Sequence, residues 1–255
     1  DLVVPWTLTL VGMGGAVLAL AAALRRERVM EVRDGAATVT TPDGAQLVAR
    51  RVDPARGDDG QWVVLLEHGL TSSPWYWEWV VRGLTDRGVP AVTYHRAGYG
   101  PSRRGSGADL KAVIDGAVSM ASYVREAFPG RRLLLVGHSL GGYVAALAAE
   151  RSPNLIDAVA LVDPTHPRQL EVSAHQREAS DMLRSNLAIS RVTLTLGLGA
   201  LLDDREWHAR LPEEARDAVS AETKNARLWA AGAREWRAAL RHFDTRPEDP
   251  RLMQP

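Results

Sequence analysis

Apolar runs and helical periodicities alternate along most of this 255-residue chain. Ala37–Thr41 and Gln46–Val52 flank Pro42-Asp43-Gly44, a turn sequence, so the pair reads as a hairpin. Val29–Arg33 reads as a further short strand. Trp62–Leu66, Pro90–Tyr94, Leu133–Val136 and Ile156–Val162 are mostly apolar runs, as strands buried on both faces require. Between them, Trp75–Arg87, Asp109–Phe128 and Tyr143–Glu150 have helical spacing, with Asp109 placed to cap the second. Strands alternating with helices after a hairpin indicate an α/β fold, a mainly parallel sheet flanked by helices.

The alternation stops near Thr165. Leu170–Asn186, Leu187–Leu202, Pro212–Trp229 and Gly232–Phe243 read as helices. They suggest a helical cap over the C-terminal edge of the sheet, where open α/β sheets bind ligands. Leu194, Leu196, Leu198, Leu201 and Leu202 either give that cap an apolar lining or simply pack it.

The N-terminus differs. Leu2–Leu24 carries no charge and is followed by Arg25-Arg26-Glu27-Arg28. A bilayer-spanning helix needs about 20 apolar residues, whereas a secretory apolar core has about 7–15. An N-terminal apolar helix anchoring the protein in a membrane is the expectation. Secretion after cleavage near Ala19-Leu20-Ala21 or Ala21-Ala22-Ala23 is the alternative, and burial within the folded domain a third. The flanking arginines favour a cytoplasmic C-terminal side. The chain begins at Asp1, so residues upstream could reverse that orientation. The expected organisation is an N-terminal helix at 1–28, a core at 29–164, a helical cap at 165–246 and a lead-in to a further strand at 247–255.

Charge is balanced, with 31 basic and 31 acidic residues, and there is no recognised nucleic-acid motif, so no nucleic-acid partner is expected. Cysteine is absent, which excludes disulfides and thiolate metal sites. No His-Glu-x-x-His or Gly-x-x-x-x-Gly-Lys occurs, and Gly98-Tyr99-Gly100 is too short for a dinucleotide fingerprint. No metal or cofactor is expected.

The chemistry concentrates in Gly137-His138-Ser139-Leu140-Gly141-Gly142, between a strand-like and a helix-like run. Strand, Gly-x-Ser-x-Gly, helix is the context of a nucleophile elbow. The turn brings backbone segments close, so Gly137 and Gly141 must be small, and Gly142 leaves room between helix and strand. Ser139 also opens the helix, where unpaired N–H groups favour developing negative charge.

Three motifs in order then resemble the α/β-hydrolase superfamily, specifically its capped bacterial serine hydrolases. They are His68-Gly69-Leu70-Thr71, the loop Tyr94-His95-Arg96-Ala97-Gly98-Tyr99-Gly100-Pro101-Ser102, and Gly137–Gly142. The second has His95 where the family usually has Asp. Leu161-Val162-Asp163-Pro164-Thr165-His166-Pro167 is a weaker echo of the end of the sixth strand. The resemblance spans Val29 to Pro167. It implies acyl transfer with Ser139 as nucleophile and the N–H groups of Leu70 and Leu140 as oxyanion hole. Serine there argues against epoxide hydrolases and haloalkane dehalogenases, which use aspartate.

The family's acid and histidine usually follow the seventh and eighth strands. Here Arg251-Leu252-Met253-Gln254-Pro255 closes the chain, so a fragment truncated before the seventh strand is expected. Its last strand would be a bare sheet edge, which favours aggregation. Asp163 is a candidate acid, or a structural strand-end residue. His68 belongs to the oxyanion loop, and His138 should point away from Ser139. His95 and His166 lie at the site's edge, while His175, His208 and His242 are expected on the cap surface. None is assigned as base. The expectation is an esterase-like serine hydrolase taking a small-molecule acyl substrate. Acyltransferase or cofactor-free haloperoxidase chemistry on the same fold, and a non-catalytic binding protein, are the alternatives.

Overall fold

The structure, a computed structural model, describes residues 17–245 except 18, 25, 32–34, 55, 56, 59 and 202–204. Strands β1 (Ala37–Thr40) and β2 (Gln46–Val52) form the hairpin, with Thr40 opposite Gln46. Strand β2 pairs antiparallel with β4 (Ala91–His95). From there the sheet is parallel, through β3 (Trp62–Glu67), β5 (Arg132–His138) and β6 (Ala158–Val162). The order is β1-β2-β4-β3-β5-β6.

The apolar run of β3 is unbroken because both its faces are covered. Val63 and Leu65 join a core with α2 (Leu110–Ala127) and α3 (Leu140–Arg151), through Ala117, Met120, Val144 and Ala148. Val64 and Leu66 face the other way, onto Val81 of α1 (Glu78–Thr85). Successive strand residues point to opposite faces, so one run feeds two layers. Asp109 caps α2 as expected, its carboxylate accepting the Ala112 N–H at 3.0 Å.

Among the described residues, five α-helices follow β6: α4 (Gln169–Val172), α5 (Ala174–Thr195), α6 (Arg205–His208), α7 (Glu213–Thr223) and α8 (Ala226–Thr245). Their boundaries depart from expectation. The break expected at Asn186–Leu187 is absent, and α5 runs through it, with Leu187 buried. The break expected around Gly232 falls instead at Lys224–Asn225, where the Asn225 side chain accepts the Arg227 N–H at 2.9 Å. Gly232 lies inside α8 for a different reason. A Cβ there would lie 2.3 Å from Thr71 Cγ2, so only glycine lets the helix approach that loop. Trp236, Ala238 and Ala239 of α8 pack into the main core beside Leu140 and Tyr143.

The N-terminal expectations are corrected. Residues 26–30 are helical where a strand at Val29–Arg33 was expected, and residues 32–34 lie outside the description. Among the described residues, no helix is long and apolar enough to cross a membrane. The membrane-anchored localisation and the membrane contact expected through Leu2–Leu24 therefore do not stand. Residues 19–24 and 26–30 are helical, and the second stretch opens on the charged Arg26-Glu27-Arg28, which limits the apolar length described. Residues 1–16 and the expected lead-in at 247–255 lie outside the described residues.

Candidate active site

The turn from β5 into α3 fixes Ser139. Its φ of 53° and ψ of −126° lie outside the regions an L-residue ordinarily occupies. Close packing holds that conformation. A Cβ on Gly137 would lie 2.4 Å from the Gly141 carbonyl oxygen, and one on Gly141 the same distance from that of His68. A Cβ on Gly142 would meet Pro164 at 2.8 Å. Backbone bonds lace β6 to the turn. Ser139 N–H donates to the Val162 carbonyl at 3.2 Å, and Thr165 N–H to the Ser139 carbonyl at 2.9 Å.

Serine at a helix N-cap usually accepts an N–H from the first turn. Ser139 makes no such bond. Its Oγ instead lies 3.5 Å from Thr165 Oγ1 and borders a cavity of about 250 Å³. Leu70, Leu140, Thr165, His166, Leu183 and Trp236 are among that cavity's walls. Among the described residues, no acceptor meets the backbone N–H of Leu70 or Leu140. Of the leucines named for an apolar cap lining, the Leu201 side chain and Leu202 lie outside the described residues, and the other three do not border this cavity. Leu194 is buried elsewhere, Leu196 and Leu198 are exposed, and Leu70, Leu170, Leu183 and Trp236 supply the apolar surface.

The expected oxyanion loop is held by a buried ion network that the sequence reading missed. Arg96 is 2% exposed, and its Nε and Nη2 donate to the two carboxylate oxygens of Glu235, each at 2.8 Å. Nη1 donates to Glu67 at 2.5 Å and to the His68 carbonyl, and Nη2 reaches the Gly69 carbonyl at 3.0 Å. Tyr94 closes the network on Glu67, and Tyr99 closes it on Glu235 at 2.7 Å. Burial works against the Arg96 charge, but Glu235 and Glu67 more than offset it and hold the guanidinium protonated. Burial pushes the Glu67 carboxyl up, against the pull of Arg96.

His68 Nδ1 lies 2.8 Å from the Gly69 carbonyl, while Nε2 faces the Arg96 N–H at 3.4 Å. A carbonyl only accepts and an N–H only donates, so the proton sits on Nδ1. Burial, then the Arg96 charge, hold this imidazole well below its ordinary range. It is a neutral structural group.

The other histidines divide differently from expectation. His95 is buried at the end of β4, with Nε2 2.9 Å from Glu222. His138 packs nearly perpendicular to Trp77, 6.5 Å between ring centroids, with its Nδ1 against Gly69. His208 is buried rather than on the surface, 3.1 Å from the Tyr76 hydroxyl, and His242 packs on Tyr143. His175 is exposed, as expected. His166 borders the Ser139 cavity, and its Nδ1 accepts the Arg168 N–H at 3.2 Å. Among the described residues, no histidine is hydrogen-bonded to Ser139 Oγ or to Asp163. Asp163 is exposed, with φ of 42°. The structure thus brings Ser139, Leu70, Leu140 and His166 to one cavity, and leaves Asp163 outside its lining.

Thr165 and Glu235 escaped the sequence reading. Thr165 sat in a noted motif without a role. Glu235 had one signal, a carboxylate beside Trp236 on the face of α8 that carries Ala231, Ala238 and Ala239.

Comparison with known proteins agrees with this fold. The profile of a family described as "alpha/beta hydrolase fold" matches residues 63–233. A protein named "Probable esterase PIR7A" from Oryza sativa subsp. indica is 35% identical over 112 residues, covering 43% of this chain and 41% of that protein. "Esterase Rv0045c" from Mycobacterium tuberculosis is 32% identical over 117 residues, covering 45% and 38%. Each match thus spans about two fifths of the esterase's length. The structure of ALR0039, titled a putative alpha/beta hydrolase from Nostoc sp PCC 7120, superposes with a TM-score of 0.62 at 17% identity, covering 82% of this chain and 75% of that one.

Proposed function

This chain belongs to the α/β-hydrolase family, and from that premise we propose that it is an esterase-type serine hydrolase acting through an acyl-enzyme on Ser139. The observation that carries the reading is the left-handed Ser139 backbone in the wall of a cavity that Leu70 and Leu140 also line, their N–H groups without an acceptor among the described residues. Ser139 Oγ attacks the substrate's carbonyl carbon and gives its proton to a base. The resulting oxyanion accepts hydrogen bonds from the N–H groups of Leu70 and Leu140. Losing one such donor typically raises the barrier by about 2.7–4 kcal/mol. The carbonyl re-forms as the ester oxygen leaves with a proton, and water then releases the acid from Ser139. The esterase names of the relatives support the reaction class.

A cavity of about 250 Å³ suits a short acyl group. Acetate and butyrate esters should acylate Ser139 faster than a palmitate ester. Equal rates would contradict that assignment.

One observation favours a second reading, a non-catalytic binding protein: among the described residues, no histidine is hydrogen-bonded to Ser139 Oγ. Added imidazole separates the two. In the hydrolase reading it supplies the proton acceptor, so Ser139-dependent release of p-nitrophenol rises with imidazole concentration, and Ser139→Ala shows only the rate of free imidazole. In the binding reading both proteins give that background rate. Comparing water with alcohol as acceptor then distinguishes hydrolase from acyltransferase.

A further inference from the structure

A second cavity, of about 370 Å³, lies among the β1–β2 turn, the segment from Arg96 to Asp109, and α8. It shares no lining residue with the Ser139 cavity. Leu47, Ala97, Val113 and Ala238 give it apolar walls. Its charged lining is unbalanced, with five arginines against three carboxylates.

Each carboxylate is already engaged. Asp43 accepts the Gly107 N–H at 2.9 Å and a bond from Thr41, and Asp109 caps α2. Glu235 is taken by Arg96 and Tyr99. Two of the arginines are engaged as well, Arg96 in the buried network and Arg241 on the Ala108 carbonyl at 3.0 Å. Among the described residues, Arg104, Arg234 and Arg237 have no acidic partner.

Two of these three converge. A Cβ added to Gly98 would lie 2.5 Å from Arg234 Nη2 and 3.1 Å from Arg104 Cγ, so both side chains lie over one glycine. Arg234 is half-buried there, and burial and then the neighbouring Arg104 charge disfavour its protonated form, against the smaller opposing influences of Tyr99 and Glu235. Like charges held together beside apolar walls, with every nearby carboxylate occupied, form a site complementary to an anion.

We propose that this cavity binds an organic oxyanion, a carboxylate or phosphate monoester on a short apolar body, with Arg104 and Arg234 on the head group. Arg237 adds charge at the rim, and the apolar walls take the body.

Isothermal titration calorimetry of the chain with hexanoate, hexyl phosphate, hexanol and inorganic phosphate tests this. At least one organic anion should bind, and the tighter of the two identifies the head group. Hexanol should not bind at the same concentrations, inorganic phosphate should bind more weakly than hexyl phosphate, and affinity should fall with added salt. Arg234→Gln and Arg104→Gln should each weaken binding about tenfold, the typical scale of a lost charge-assisted hydrogen bond. Ala112→Leu, which adds bulk to the cavity wall, should also weaken it. Ala179→Phe, in the Ser139 cavity, should not. Melting curves establish that each variant is folded. Hexanol binding as well as the anions, an unchanged Kd in folded Arg234→Gln, or a loss confined to Ala179→Phe would each overturn the proposal.

Discussion

The elbow at Ser139 and the network at Arg96 lie on either side of one loop and are built by opposite means. The elbow is a backbone device. Contiguous residues and three glycines leave its turn no room for another path. The network is a side-chain device, in which Glu67, Arg96 and Glu235, from three distant parts of the chain, meet in a buried cluster. The first sets the proposed nucleophile. The second sets the loop that carries the Leu70 N–H, through the His68 and Gly69 carbonyls. Nucleophile and oxyanion donor should therefore fail independently.

The largest expected effect tests that independence. Arg96→Ala leaves two carboxylates buried without their cation and should destabilise the fold by about 3–5 kcal/mol in chemical denaturation. The triple variant Arg96→Met, Glu67→Gln, Glu235→Leu should recover most of that stability. It should still acylate Ser139 slowly, because the loop carbonyls lose their donor. Full recovery of acylation would mean that the network does not position the loop.

Gly142→Ala should act on the other region. Its Cβ would lie 2.8 Å from Cβ of Pro164 and 3.1 Å from the Gly137 carbonyl oxygen, and neither can swing away. The cost is about 1–3 kcal/mol, the usual range for overpacking. Acylation should fall with it, while the Tyr94 and Tyr99 environments stay unchanged in near-ultraviolet spectra.

The third prediction concerns pH. His68 stays neutral in the fold, whereas the unfolded histidine takes a proton near pH 6.5. On acidification the unfolded chain therefore binds the extra proton. The stability attached to His68 is fully present above that pH and is lost as pH falls toward the depressed folded value. The slope from this one group approaches about 1.4 kcal/mol per pH unit. His68→Asn keeps a donor for the Gly69 carbonyl and should remove that slope from the difference between the two proteins. Parallel stability–pH curves would contradict the assignment.

The smallest effect lies outside both regions and calibrates them. Asp109→Ala removes the cap of α2 and should cost about 1 kcal/mol in denaturation, with Ser139 acylation unchanged.

The same contrast explains what the sequence made legible. The elbow, the α2 cap, the hairpin and the parallel strands rest on neighbours within a few residues, so local pattern exposed them. Gly232 looked like a helix break because its reason, Thr71, is remote in sequence. Glu235 was invisible as a partner of Arg96 because 139 positions separate them. His95 stands where the family usually has Asp, and its partner Glu222 lies on α7, 127 positions away. The membrane expectation weighed apolar length alone, and among the described residues no helix has enough of it.

The central claim is that Ser139 is the nucleophile. Incubation of the chain with p-nitrophenyl acetate and imidazole, followed by peptide mass spectrometry, tests it directly. The account predicts one acetyl adduct, on Ser139, absent in Ser139→Ala and formed faster as imidazole rises. No adduct at Ser139, or equal labelling of the Ser139→Ala protein, would contradict it.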